Sequence, residues 1–238
     1  MLEAATLAKR PLLATDLADQ LEIPRATAHR LVQTLCREGF MQIDPRGRLL
    51  AASRLETIAN NVWFNARHKL ERQAILRGLA DRIGETCGIA SPDGVEMVYH
   101  DRAEANWPLR INLPVGARVP IACTSSGKLY LALLPEKQRR RVLDSLTLTR
   151  RARNTLVDRK ALEASLDQIR KTELGTDDEE FIDGMVACAV PIRRPDGQLL
   201  ACLFCHAPMV RESLEDLAAF ADNLKDAAGQ LSGLLNVG

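Results

Sequence analysis

Apolar positions recur at helical spacing early in the chain. Leu17, Ala18 and Leu21 give a first short helix its inner face, with Thr15 placed to cap it and Asp16 near its positive end. Pro24 disfavours helical geometry at Ile23, which ends that helix, and can itself start the next. In the second helix Ala28, Leu31, Val32 and Leu35 form one stripe, so Ala26, Arg30, Gln33 and Arg37 face outward. Residues Gly39 to Ile43 read as a strand, Asp44-Pro45-Arg46-Gly47 as a turn, and Arg48-Leu49-Leu50 as the returning strand. Helix, turn, helix and hairpin in that order predict a winged helix-turn-helix.

Met1 to Ala8 form a short helical lead ahead of these elements. After the hairpin, Ser53 can cap a helix through Leu55, Ile58, Ala59, Val62 and Trp63, read here as a linker between two domains. Leu70, Ala74, Ile75, Leu79 and Ile83 mark another amphipathic helix, stopped by Gly84. The period then shortens towards two. Thr86–Ser91 and Val95–His100 flank Asp93-Gly94, a strong hairpin signal, and Leu109, Ile111 and Leu113 alternate as a strand facing a core. A helix-forming run follows ACTSSG, Pro135 starts a charged helix, and a helix from about Asp158 to Glu173 is expected to be capped by Gly175. Met185–Ile192 and Leu199–Ala207 make a second hairpin around Pro195-Asp196-Gly197, and one long helix from Val210 to Leu235, capped by Ser213, closes the chain. Hairpins bracketed by helices predict an α+β domain whose antiparallel sheet has one face covered and the other free to wrap a ligand.

At 238 residues the chain fits one small domain plus one larger one: 1–52 winged helix-turn-helix, 53–69 linker helix, 70–238 ligand-binding domain. Only 4% of residues are aromatic, so aliphatic side chains must fill the core. Net charge is +1, yet the six arginines from Arg25 to Arg54 face only Glu38 and Asp44, a local balance of +4. A cationic helix face and hairpin suit duplex DNA. Arg can bridge guanine and Gln adenine, each for about 1–3 kcal/mol of discrimination, while Arg46 and Arg48 at the hairpin tip can reach phosphate or the minor groove. The candidate DNA contacts are Arg25, Thr27, His29, Arg30, Gln33, Arg46 and Arg48. A winged domain that contacts protein instead is one alternative. With no apolar run of 18 residues and no leader, the expected location is the cytoplasm, with no membrane partner.

His29, His68, His100 and His206 have no Cys or carboxylate at ligand spacing, and HExxH, GxSxG, GxxxxGK and GxGxxG are absent, so neither an enzyme nor a bound metal or cofactor is expected. Cys202-Leu203-Phe204-Cys205-His206 has the letters of a c-type haem attachment site, which keeps a haem or metal redox sensor as a second alternative. In a strand, however, Cys202 and Cys205 would point to opposite faces. A binding pocket is the favoured reading, built from a strand face offering Cys202, Phe204 and His206 and from Ser125 and Ser126, whose helix start leaves backbone N–H groups open to a carboxylate. Ile111 is added to this ligand-binding set.

Three stretches resemble IclR-type bacterial transcriptional regulators: LADQLEIPRATAHRLVQTL, RVPIACTSSGKLYLALL, and DDEEFIDGMVACAVPIRRPDGQLLACLFCHAP. The resemblance implies a winged helix joined by a helix to a GAF-like effector domain, assembled as homodimers or homotetramers on double-stranded operator DNA. It implies a small-molecule pocket at Ser125, Ser126, the acid position Asp177, and the strand positions Ala187, Phe204 and His206. Members that recognise small oxo-acids such as glyoxylate carry Cys and Ser at the last three places. Ala, Phe and His there remove hydroxyl and thiol donors and add an aromatic wall, so the expected effector is a carboxylic acid larger than glyoxylate, with aromatic acids among the candidates.

Overall fold

The computed structural model describes residues 1–8, 10–52, 54, 55, 57–59, 62, 68–108 and 111–234. Two compact units divide the chain, Met1–Asn65 and Ala66–Gly238. The expected cap at Ser53, the linker residues around Trp63, and Leu109 and Leu235 lie outside the described residues.

The smaller unit contains α1 (Leu2–Leu7), α2 (Ala14–Gln20), α3 (Arg25–Arg37), β1 (Met41–Ile43) and β2 (Leu49–Ala51). Its core joins Ala14, Leu17, Val32, Met41 and Leu49. Thr15 does not cap α2: the helix starts two residues earlier than such a cap implies, after Leu13, whose N–H donates to the Asp16 carboxylate at 2.9 Å. Leu31 is 41% exposed, so the buried stripe of α3 is narrower than its apolar letters and rests on Ala28 and Val32. β1 and β2 pair from Met41↔Ala51 to Ile43↔Leu49, and the segment before α2 adds to the ribbon through Leu49 N to Leu12 O at 2.8 Å.

In the larger unit six strands run in the order β5-β4-β3-β8-β7-β6, every neighbouring pair antiparallel. They are β3 (Thr86–Asp93), β4 (Glu96–Ala103), β5 (Arg118–Pro120), β6 (Gly175–Asp178), β7 (Met185–Arg193) and β8 (Leu199–Pro208). Both glycine turns form as expected, and the strands beside them run longer than the pattern suggested. The Ile111–Leu113 stretch is not a strand. Its carbonyls are taken by Arg102, whose Nη2 donates to Ile111 O at 2.6 Å and whose Nη1 donates to Leu113 O, so no neighbouring strand receives them.

Both faces of the sheet carry helices, contrary to the expected open face. On one lie α4 (Lys69–Ile83), α8 (Leu214–Ala219) and α9 (Ala221–Gly233); on the other lies α5 (Ser125–Leu133), backed by α7 (Arg159–Thr172), with α6 (Glu136–Ser145) between them in the chain. The closing helix is therefore two, broken at Phe220, although Ser213 caps the first as expected, accepting from Asp216 N at 3.1 Å. At the end of α7 the left-handed cap is Glu173 (φ 52°), not Gly175, which is already in β6. Gly175 is needed for another reason: a Cβ there would run into the Ser125 carbonyl.

Helix α4 turns a different face inward from the one its aliphatic letters suggest. Leu70 and Ala74 are exposed, while Arg72 is fully buried with Leu76, Leu79 and Ile83. Arg72 Nε donates to Asp101 Oδ2 on β4 at 2.6 Å, and Gln73 Nε2 reaches Asp101 Oδ1 at 3.1 Å. Removing one partner strands a buried charge, so Arg72→Leu should cost about 3–5 kcal/mol in urea unfolding. Arg72→Leu with Asp101→Leu should recover most of that loss, because no charge is then left unpaired.

Candidate functional site

In the smaller unit, Arg25, His29, Arg30 and Gln33 project from the exposed side of α3, and Thr27 is half-buried on its flank. Arg46 is exposed at the tip of the hairpin, where Gly47 adopts φ 77° to close the turn. Arg48 is engaged elsewhere than expected. Its Nε and Nη2 bind Asp44 Oδ2 at 2.8 and 2.7 Å, while Asp44 Oδ1 accepts the backbone N–H of Arg46 and Arg48. These bonds hold the half-buried Asp44 carboxyl below its ordinary range, with the Arg48 contacts foremost. Arg48 thus shapes the turn that presents Arg46. Arg54, counted in the sequence only towards the local charge, reaches the Glu38 carbonyl at 2.9 Å and lies 4.5 Å over the Phe40 ring, bracing the base of the hairpin.

In the larger unit, strand register lines up the candidate ligand residues. Asp177 stands opposite Ala187, Ala187 opposite His206, and His206 opposite Thr86, so these side chains share one face. Phe204, two residues along β8, joins them; its ring is 4.4 Å from that of Tyr99 and 6.0 Å from that of His206. It fills a notch at Gly88, where a Cβ would lie 2.6 Å from the Phe204 Cζ. Helix α5 covers this face. Ser125 and Ser126 form its first turn, both buried; Thr124 caps it, accepting from Gly127 N at 3.3 Å; and Cys202 Sγ donates to Ser126 O at 3.4 Å. Six of the seven expected contacts are therefore on or over one sheet face, and Ile111 sits half-buried in the loop held by Arg102.

Cys205 points the other way, its sulfur 3.3 Å from Cys188 on the α8 side, so the Cys-x-x-Cys-His letters make no joint site. The buried Cys123 thiol is pushed up to about 12, first by burial and then by Asp177 and Glu180, which leaves it a poor nucleophile.

Polar groups buried between α5 and this row are incompletely satisfied. Asp177 Oδ1 accepts from Glu180 N at 2.8 Å and Phe181 N at 3.4 Å, whereas Oδ2 and both ring nitrogens of His206 have no partner among the described residues. Burial drives the Asp177 carboxyl up to about 7; the Glu180 charge adds to this, and Lys128 and the turn N–H groups oppose it. Burial drives His206 down to about 3, helped by the charges of Arg102 and Arg211. The imidazole is therefore neutral, with one donor and one acceptor to offer. Beneath them Lys128 Nζ, itself buried, pairs with Glu180 Oε1 and lies 3.4 Å from Ser165 Oγ. Sequence reasoning missed this pair, though a lone lysine inside SSGKLYLALL was a usable signal for it.

Residues 67–233 match the family described as bacterial transcriptional regulator IclR, C-terminal, and residues 2–45 match the IclR helix-turn-helix domain. The chain is 37% identical over 232 residues to the probable transcriptional regulator SauR of Cupriavidus necator, covering 97% of this chain and 92% of that one. The crystal structure of the Thermotoga maritima IclR shares the fold with a TM-score of 0.67 at 24% identity, covering 98% of this chain and 95% of that one. An IclR homolog from Microbacterium hydrocarbonoxydans, complexed with 4-hydroxybenzoate, does so with a TM-score of 0.63 at 22% identity, covering 100% and 96%.

The shifted groups give opposite pH signatures. A carboxyl raised from its usual value to about 7 makes the folded state take up a proton, so its contribution falls as pH climbs from about 4 to about 7. A histidine depressed to about 3 makes the folded state shed one, so its contribution falls as pH drops from about 6.5 towards 3. Urea titrations should find Asp177→Asn more stable than the parent at pH 8, on the order of 2–4 kcal/mol, and nearly equal to it at pH 4. His206→Leu should show its gain on the acid side instead.

Proposed function

Because this chain belongs to the IclR family of bacterial transcriptional regulators, we propose that it grips an operator through the outer face of α3 and the wing, and that a carboxylic acid held between α5 and the Asp177–His206 row sets how tightly it does so. It is a DNA-binding regulator and not an enzyme. Arg30 and Gln33 read base edges from the middle of the α3 face, with Arg25, Thr27 and His29 beside them. Arg46 takes a phosphate or the adjacent minor groove, and Arg48 acts by holding the turn. Two or four copies act together on a two-fold operator in the cytoplasm.

The observation that carries the effector reading is the set of buried polar atoms without partners, Asp177 Oδ2 and both nitrogens of His206, beside the first turn of a helix. Buried polar groups are ordinarily satisfied, so a guest that satisfies these is strongly favoured there. Its carboxylate meets the N–H groups and positive end of α5 at Ser125 and Ser126. A second polar group on the guest meets Asp177 and His206. Phe204, tilted against Tyr99 and stacked with His206, adds an aromatic wall, which supports an aromatic acid, the class of the 4-hydroxybenzoate carried by the M. hydrocarbonoxydans homolog. A coupling of about 1–3 kcal/mol between this space and the winged unit is enough to change operator occupancy five-fold or more.

Titrating 4-hydroxybenzoate and glyoxylate against the full chain, with operator affinity as a second readout, tests the effector reading. The aromatic acid should bind more tightly, and His206→Leu should weaken it about ten-fold or more. Tighter binding of glyoxylate would overturn the aromatic assignment. On the DNA side, Arg30→Ala should lower affinity for the operator by about 1–3 kcal/mol and relax base preference, whereas Arg46→Ala should weaken all duplexes alike and reduce the salt slope by about one.

A further inference from the structure

We propose a second ligand compartment on the larger unit, a cleft of about 310 Å³ that takes small amphipathic carboxylates, with Arg151 as the residue that engages the acid. It lies between residues 120–123, which lead into α5, and the 145–156 connection that leads towards α7. Cys123 and Thr155 form the partition between this cleft and the Asp177–Glu180 turn: Thr155 Oγ1 donates to the Glu180 carbonyl at 2.6 Å, and Cys123 is followed directly by Thr124 and Ser125. The cleft is thus a neighbour of the effector row and not part of it.

Its walls divide by chemistry. Val95, Ile121, Leu146, Leu148 and Leu156 supply apolar surface, while Thr147 and Thr149 supply hydroxyls near Arg151. Glu96 is the carboxylate of the lining, and it is already held by Arg118 Nε at 2.7 Å. Among the described residues no carboxylate pairs with Arg151, in contrast to Arg118, Arg139, Arg153 and Arg159 on the same unit, each of which holds one. The arginine also stands on a fixed base, since its own N–H and that of Ala152 both donate to Thr155 Oγ1, at 2.9 and 2.8 Å. An exposed guanidinium without a carboxylate partner, on a fixed stretch of backbone at the edge of an apolar recess, is complementary to a carboxylate carrying a short chain or a single ring. The volume is at the small end for ligand sites, which excludes nucleotide-sized guests.

Methyl NMR of the full chain, titrated separately with benzoate and hexanoate into the tens of millimolar, tests this. Expected are saturable shifts at the methyls of Val95, Leu146, Leu148 and Leu156. Arg151→Ala should weaken these by about ten-fold or more, Arg151→Lys should keep part of the affinity, and His206→Leu should leave them unchanged. Absence of saturable shifts at these methyls, or shifts indifferent to Arg151→Ala, would overturn the proposal. Shifts confined to Thr86 and Ala187 and lost in His206→Leu would also overturn it while supporting the effector row. Cleft shifts without any response at Thr86 and Ala187 would support it and count against benzoate as an occupant of the row.

Discussion

Two glycines at helix α5 have no room for a side chain, Gly127 against the turn that leads into it and Gly175 of β6 where the helix meets the sheet. A Cβ on Gly127 would collide with the backbone of Ile121, and one on Gly175 with the Ser125 carbonyl. This close approach lowers the first turn of α5 onto the sheet, so that Cys202 reaches Ser126 O and Ser125 and Ser126 lie out of solvent. The positive end of a helix is thereby applied to a row of strand residues across β6, β7, β8 and β3. The unpartnered groups of that row are kept from solvent by this contact, since Ser125, Ser126, Asp177 and His206 are all buried beneath or within it.

Buried charges divide the labour between the two faces. Arg72–Asp101 ties α4 to β4 on one side, and Lys128–Glu180 ties α5 to the turn after β6 on the other. Such pairs add little net stability over well-packed apolar residues, but they penalise any alternative docking of the helix. Lys128–Glu180 has a further effect. It holds the turn whose N–H groups saturate one oxygen of Asp177, while the other stays buried without a partner among the described residues.

Much of this was legible in the sequence where local signals are strong. Asp93-Gly94 and Pro195-Asp196-Gly197 announced both hairpins, and the order of α2, α3 and the wing could be read from apolar spacing. The candidate row was assembled from a family resemblance, and register then aligned Asp177, Ala187 and His206. What could not be read depends on partners far away in the chain. Arg72 is inside because Asp101 waits 29 residues later, Gly175 serves a helix that begins 50 residues earlier, and the Ile111 segment failed as a strand because Arg102 claims its carbonyls. Arg48 looked like a phosphate ligand because charge alone does not reveal an intramolecular carboxylate four residues back.

The Phe204 ring rests in a hollow that exists only because residue 88 is a glycine. The two positions therefore cannot drift independently. A side chain at 88 would strike the ring at 2.6 Å and the Asp101 carbonyl at 2.8 Å, so the glycine is required by the backbone even where 204 is small. The dependence runs one way, since 204 can shrink while 88 stays glycine, so a lineage that alters its chemical preference at this spot has to begin with the ring.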